Sequence, residues 1–421
     1  MIIKRTSKRI ERPLADLLEK VIDNRGKTPP LVDAKEIQAR NQEVNKSESQ
    51  IAEFQRSKSK IFPLIESWQI KNHSKHPLEK ISRQKYVSED CYKSWFRDEH
   101  PQPQDILLTT VGASIPQYCL APTDYKISIA QNVVGLRGRR AEVDQDFLRF
   151  YFLGEQFLRE VNRRIVTAVQ PSIKLSSFCD IEVSLPPLPQ QKTLGQDLVA
   201  MTDKIELLKQ QNYTLESIAH ATFENCFPTH LRDAQNSKST KETLLDTVYQ
   251  FVKGDRVKGL DYATEPSEGK IRYTRVKDMD RLRPAIFADA SHIKQRCSVD
   301  DLLISFDGTI GKVSFGVEGS YAVAIRKVVS DNEHYNNLGF KYTLFNRAEI
   351  IDTINSHATG TVILHASAAI KYLSFPLPSP TEVEKFNRII NPVFDKILLN
   401  KKNIVMMEDM LKLAISNVLG Q

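Results

Sequence analysis

The 421-residue chain offers few groups that could make or break a bond. His73 and His76 form an HxxH, but apart from Glu79 no acid or thiol stands near them in the chain, so they read as loop residues rather than metal ligands. The stretch VDAKEIQ (32–38) has the acids of a nuclease D…ExK core, yet Gln38 stands where the lysine is needed. There is no GxGxxG or GxxxxGK[ST] phosphate loop. There is no GxSxG elbow or HExxH, and no [DN]PP[YF] tetrapeptide of the kind an adenine methyltransferase carries. What remains able to do chemistry is basic and polar, which is the chemistry of holding an anion. Lys and Arg total 59 against 52 Asp and Glu, a formal net charge of +7, and a positive chain approaches a polyanion at lower cost because its cations release condensed counterions.

These groups cluster. Asn24, Arg25, Lys27 and Thr28 form one set; Lys253, Arg256 and Lys258, then Arg272, Tyr273, Arg275 and Lys277, form another. Thr109, Thr110, Ser114, Gln131 and Asn132, with Gln170, Ser172 and Lys174, extend the first set. Ser305, Asp307, Thr309, Lys312 and Thr361 are their counterparts in the second. Arginine and lysine suit phosphate and the guanine edge, while Asn and Gln suit adenine, so the clusters are candidate DNA contacts.

The elements that must position them occur twice. TAVQPSIKLSSFCDIEVSLPPLP (167–189) aligns without a gap on HATGTVILHASAAIKYLSFPLPS (357–379), at an offset of 190. Each copy has a turn-prone segment, a strand ending Ser-apolar-Pro, and then a helical pattern. DILLTTVGASIP (105–116) likewise resembles DLLISFDGTIGK (301–312): an acid, an apolar strand, and a loop with Gly112 or Gly308 where a tight turn or close backbone approach is expected. VIDNRGKTPPLV (21–32) and FVKGDRVKGLDY (251–262) form a looser pair. The two copies read as strand-rich mixed domains over 1–189 and 244–380, with a charged insertion at 35–60 and a polar linker at 228–243. Pro186, Pro187 and Pro189, with Pro376, Pro378 and Pro380, end the strands and set a stiff exit direction.

Beyond each proline cluster, over 190–227 and 381–421, apolar residues recur every three and four positions for about four heptads, predicting a coiled coil. The stripes run Leu194, Leu198, Met201, Ile205, Leu208, Asn212, Leu215, Ala219, Thr222, and Phe386, Ile390, Val393, Ile397, Asn400, Ile404, Met407, Leu411, Ala414, Val418. Antiparallel pairing sets Leu194 by Val418 and Thr222 by Ile390, which places the single asparagines Asn212 and Asn400 opposite each other, able to bond and fix register. Leu207, Ile218, Leu399, Val405, Met406, Met410 and Leu413 lie off the stripe, more than a two-helix coil buries, and are expected to face the domains or another protein.

The remaining composition excludes other classes. No apolar run reaches a membrane span, and the basic start MIIKRTSKRIERPL lacks the apolar core of a signal peptide. Five scattered cysteines without CxxC spacing point away from disulfides or zinc and towards a reducing cytoplasm.

IDNRGKTPP, DILLTTVGASI, QPSIKLSSFCDIEVSLPPLPQQ and DKIELLKQQN resemble the specificity (S) subunit of type I restriction-modification systems. The resemblance covers nearly the whole chain; FPLPSPTEVEKF and DKILLNKKN still fit in the second half, whereas TGTVILHAS departs from the first copy. It implies an α+β fold with two target-recognition domains, each reading one half of a split double-stranded DNA site. The domains are separated by two long helices in an antiparallel coiled coil, as a pseudo-twofold duplication. It implies a non-catalytic subunit docked to two methyltransferase (M) subunits and joined by restriction (R) subunits. S-adenosylmethionine would lie in the M subunit, ATP and Mg in the R subunit, and no cofactor or metal in this chain. Leu198, Ile205, Leu207, Leu208, Asn212 and Leu215, with Ile397, Leu399, Asn400, Ile404 and Leu411, are the expected helix-pairing or docking residues. A stand-alone nuclease or methyltransferase, a scaffold that binds no DNA, and an orphan regulator derived from the family remain open on the residues alone.

Overall fold

The computed structural model describes residues 9–24, 26, 28–33, 60–72, 74–78, 83–113, 115–166, 170–228, 242–258, 261–360 and 364–419. The chain divides into two compact units, 1–204 with 409–421, and 205–408.

In the first unit the strands are β1 (Ile10–Pro13), β2 (Leu18–Ile22), β3 (Ile61–Ile65), β4 (Lys85–Ser88), β5 (Ile106–Thr109), β6 (Tyr118–Leu120), β7 (Ser128–Ile129), β8 (Val133–Gly138) and β9 (Glu182–Leu185). Helices α1 (Leu14–Leu17), α2 (Glu89–Ser94), α3 (Gln145–Tyr151), α4 (Glu155–Arg164) and α5 (Leu175–Cys179) are interspersed, and α6 (Leu188–Cys226) begins here. The strands form a four-stranded sheet β2-β8-β5-β6, a three-stranded sheet β4-β3-β7 and a closing pair β1-β9. Strand β5 is buried at every position, and apolar over Ile106, Leu107 and Leu108, because both faces of its sheet are covered. Ile106 and Leu108 enter the core built with α3, α4 and α5, while Leu107 enters a second core with Ile65, Cys119 and Ile129.

The second unit repeats this plan. Its strands are β10 (Thr243–Leu244), β11 (Gln250–Lys253), β12 (Lys270–Thr274), β13 (Phe287–Asp289), β14 (Arg296–Cys297), β15 (Leu302–Ser305), β16 (Val313–Ser314), β17 (Gly319–Tyr321), β18 (Ile325–Val329) and β19 (Ser374–Phe375). They form sheets β11-β18-β15-β16 and β13-β12-β17-β14 and the pair β10-β19, so β14 is the one strand without a counterpart among the described residues. The inner pairings match down to direction: β3 is antiparallel to β4 and parallel to β7, as β12 is to β13 and β17. Leu302 and Ile304 face one core and Leu303 the other, as in β5. Helices α7 (Leu338–Phe345) and α8 (Ala348–Ser356) stand for α3 and α4, and a 3-10 helix, Ser367–Tyr372, stands for α5.

The acid that opens each strand motif has a defined task. Asp105 accepts from the Gln102 amide at 2.8 Å and Asp301 from the Ser298 amide at 2.8 Å, each closing the turn before its strand. Asp105 also takes a two-pronged bond from buried Arg137, at 3.0 and 2.8 Å.

Helix α6 and the final helix α9 (Pro380–Leu419) both cross the division between the units. Within the second unit Asn400 Nδ2 donates to Asn212 Oδ1 at 2.8 Å and to Gln211 Oε1 at 2.8 Å, so the expected asparagine pair is formed. Lys209 meets Glu408 at 3.7 Å, which with the asparagines makes the pairing antiparallel. Within the first unit Leu198 and Ile415 share a core.

Two readings of these helices change. Pro189 and Pro380 were expected to end the strands, but each lies in the first turn of its helix, α6 or α9, where a missing amide is harmless; Pro186 and Pro187, with Pro376 and Pro378, lie between strand and helix. The stripes drift off the strict 3.5 spacing, so Phe223, Phe394 and Ile415 are buried where Thr222, Val393 and Ala414 were expected. The cause is that both helices also serve domain cores: Phe223 packs its ring against Phe340, Phe375 and Phe386. The side chain of Val418 lies outside the described residues. Helix α9 also carries Pro392 inside it, close to where Gly339 of α7 packs on Ile390; a Cβ at Gly339 would come within 2.6 Å of Ile390 Cγ2.

Among the described residues no helix is long and apolar enough to cross a membrane, and no group of three or more His, Cys, Asp or Glu could hold a metal. His76 Nδ1 lies 3.1 Å from the Leu120 carbonyl, while His73 lies outside the described residues. All five cysteines are free, and all but Cys226 are buried.

Candidate nucleic-acid interface

In each unit three loops converge at the end of the central strand, and the same backbone bonds hold them. After β5 the chain turns at Gly112, whose φ of 142° favours glycine, and after β15 at Gly308, with φ of 79°. Gly308 has open space where a Cβ would stand, so its backbone angle is the requirement there. The loop is then sewn to a later segment. Val111 bridges Ser172 and Asp307 bridges His365, and the same segments bridge back to Val166 and Thr359. Ile173 N donates to Thr110 O at 3.0 Å and Gly112 N to Pro171 O at 3.0 Å. Ala366 N donates to Phe306 O at 2.7 Å and Gly308 N to Leu364 O at 2.8 Å. The third loop joins through Thr110 N to Asn132 O at 3.1 Å, matched by Phe306 N to Ala324 O at 2.9 Å.

The first unit thereby gathers Gln131, Asn132, Gln170 and Ser172, all at least partly exposed, around the Gly112 loop. Lys174 is exposed just beyond. Thr109 and Thr110 lie at the same place but are buried: Thr109 Oγ1 accepts from the Gln117 amide at 2.9 Å, and Thr110 Oγ1 lies 3.4 Å from Asn132 O. Their hydroxyls therefore hold the loop. Asn24 is also buried, donating to Glu99 O at 3.2 Å and accepting from the Asp98 amide at 2.7 Å, while Thr28 is exposed. Arg25, Lys27, Ser114 and Thr361 lie outside the described residues.

In the second unit Asp255 organises the basic segment. It bridges Ala322, accepts from Val323 N through its carbonyl at 2.9 Å, and its carboxylate takes Lys294 N at 2.9 Å and Gln295 N at 2.7 Å. This carries exposed Lys253, Arg256 and Lys258 beside the loop that also supports Phe306. Tyr273 lies beneath them, its hydroxyl donating to Asp255 O at 2.8 Å and its burial pushing its pKa up to about 12. Arg272 is spent on the carbonyls of Leu282 and Arg281, at 3.1 and 2.6 Å. Arg275 is held by Asp278 at 2.6 Å, and Lys312 by Asp280 at 2.5 Å; Lys277 is exposed nearby. Ser305 is fully buried and donates to Thr309 O at 2.6 Å, leaving Thr309 exposed at the loop tip. Asp307 Oδ1 lies 2.7 Å from Nδ1 of His365.

His365 is a residue that sequence comparison missed. The ungapped offset of 190 holds at Ser184 and Ser374, but the bridges make His365 the equivalent of Ser172, an offset of 193. The three-residue slip falls where α5 is replaced by the 3-10 helix.

The long helices present a second surface. In the second unit Leu207, Tyr213, Ile218, Ile389, Leu399 and Met406 are exposed, and in the first Met410 and Leu413. Leu198, Ile205, Leu208, Asn212, Ile397, Asn400 and Ile404 are buried, with Leu215 and Leu411 partly so.

Residues 96–217, which hold the Gly112 loop and its partners, match the model of the type I restriction modification DNA specificity domain. Over that stretch the chain is similar to the specificity domain of type I restriction-modification systems. A curated relative, the type I restriction enzyme MjaVIII specificity subunit of Methanocaldococcus jannaschii, is 24% identical over 106 residues; the match spans 25% of this chain and 25% of that one. The crystal structure of a type I restriction-modification S subunit from M. genitalium superposes over 99% of this chain and 98% of its own, with a TM-score of 0.55 at 11% identity, which makes the fold common to both.

Proposed function

We propose that each unit reads one half of a bipartite double-stranded DNA site through its glycine-loop surface, and that α6 and α9 set the spacing of the halves and dock methyltransferase subunits. The observation that carries this reading is the duplication of one three-loop constellation, with the same backbone bonds but different side chains at its exposed positions. Two copies of one frame with different chemistry suit a target whose halves differ in sequence. The exposed aliphatic and methionine side chains of the helices supply apolar area for a protein partner. In this reading the chain catalyses nothing. Methyl transfer from S-adenosylmethionine belongs to two M subunits, and ATP- and Mg-dependent steps belong to R subunits.

The experiment is DNA binding by the assembled complex across a salt series. Arg256 and Lys258 are exposed cations beside the second constellation. Replacing both with Ala should weaken binding and lower the slope of log K against log salt by about 2. Unchanged affinity and slope would remove them from the interface. Charged replacements at Leu207 and Leu399 should reduce M-subunit co-purification while both units stay folded; survival of the complex would place docking elsewhere.

A further inference from the structure

We infer that Asp307 and His365 form a base-reading pair in which Nε2 of the imidazole accepts a hydrogen bond from an exocyclic amino group of a base in the second half-site. The inference rests on the proposed function above and assigns one of its contacts.

The argument starts from the pair itself. Asp307 Oδ1 and His365 Nδ1 are 2.7 Å apart. An ionised carboxylate only accepts, so Nδ1 carries the hydrogen, and in the neutral ring the remaining nitrogen, Nε2, is then an acceptor. The His365 side chain is 61% exposed and that of Asp307 21%, so the carboxylate is tucked behind a ring that faces outward. The ring is also held from the backbone: residue 365 exchanges bonds with Thr359 at 2.8 and 2.9 Å, and its neighbours bond Gly308 and Phe306. A fixed tautomer on a fixed backbone is what a directional contact to a base edge needs, because little freedom is lost on binding.

The comparison with the first unit sharpens the assignment. The equivalent bridge there is made by Val111 and Ser172, with the same backbone bonds. The scaffold is therefore constant and the exposed chemistry is not, and the variable pair lies at the centre of the three-loop surface. An acceptor at this point selects a base pair that offers an amino hydrogen, the N6 group of adenine or the N4 group of cytosine in the major groove. A pair that served only to tie the loops together would duplicate what the backbone bridges already do.

The test is selection of a randomised half-site library by the assembled complex at about pH 8, above the ordinary imidazole range. Wild type should enrich an amino-bearing base at one position of the second half-site. His365→Ala should reduce discrimination at that position alone by about tenfold, the effect of one lost hydrogen bond to a base edge. Asp307→Asn, which keeps size but releases the tautomer, should blur the same position and no other. The first half-site should be unaffected by either change. Profiles identical to wild type for both variants would overturn the inference, as would a uniform loss at every position together with a lowered melting temperature, the mark of a structural pair. Loss confined to a guanine O6/N7 contact would overturn the acceptor assignment. If wild type selects no bipartite sequence, the proposed function falls and this inference with it; if wild type selects one and the variants match it, only the inference falls.

Discussion

At the residue scale, several side chains that look like DNA contacts in the sequence turn out to be frame. Asn24, Thr109, Thr110, Tyr273 and Arg272 each spend their polar atoms on backbone partners. The same economy accounts for buried Lys341, whose Nζ donates to Val328 O at 3.1 Å and Asn336 Oδ1 at 2.9 Å. Burial lowers its pKa from 10.5 to about 8. Since the unfolded chain holds that proton more tightly, stability gains nothing from this group below about pH 8 and rises with pH between about 8 and 10.5. Across that window the contribution is about 3 kcal/mol. Lys401 is lowered to about 8 as well, so the test must be differential. Denaturant unfolding of wild type and Lys341→Met at stepped pH should show a steeper alkaline rise for wild type; parallel curves would contradict the assignment.

At the element scale, the asparagine pair is the most exacting feature of α6 and α9. Asn400 is fully buried and its Oδ1 has no partner, so the pair is only partly repaid for leaving water. Asn400→Leu should cost about 1–3 kcal/mol by stranding Asn212. Leucine at both positions should restore or exceed wild-type stability while loosening register, visible as several products when cysteines placed across the helices are oxidised. A single product from the double variant would show that register is set elsewhere. This pair was legible in the sequence because a lone amide in an apolar stripe needs a partner, and antiparallel pairing of the stripes supplies one. The strand order was legible only in outline: DILLTT and DLLISF announce strands covered on both faces, but the return of β7 and β17 parallel to β3 and β12 has no local signal. His365 was hidden by a register slip, since an alignment anchored on Ser184 and Ser374 cannot see that α5 and its 3-10 counterpart differ in length. The apolar stripe predicted over 381–421 runs through Pro392, and this proline sits within α9, where tertiary packing outweighs one lost bond.

At the scale of the whole molecule, α6 and α9 each contribute residues to both units, so their length is the quantity the proposed spacing depends on. One heptad inserted into each helix adds about 10 Å of helix, close to three base pairs of duplex. The complex carrying both insertions should recognise the same two half-sites with a spacer about three base pairs longer, measured by mapping methylated adenines. An unchanged spacer would detach spacing from the helices. A separate consequence follows from the closing pairs. Strand β1 lies against β9, with Glu11 opposite Ser184, and β10 against β19, with Thr243 opposite Phe375. Each half therefore leaves and re-enters the rest of the chain through a single doorway. A segment with one doorway can be exchanged as a cassette by two crossovers without opening a sheet edge, provided the incoming half keeps the core contacts made by α6 and α9. On the proposed reading of one half-site per unit, a repertoire of such cassettes would make the number of addresses grow as the product of the two halves, with the proposed partner subunits unchanged.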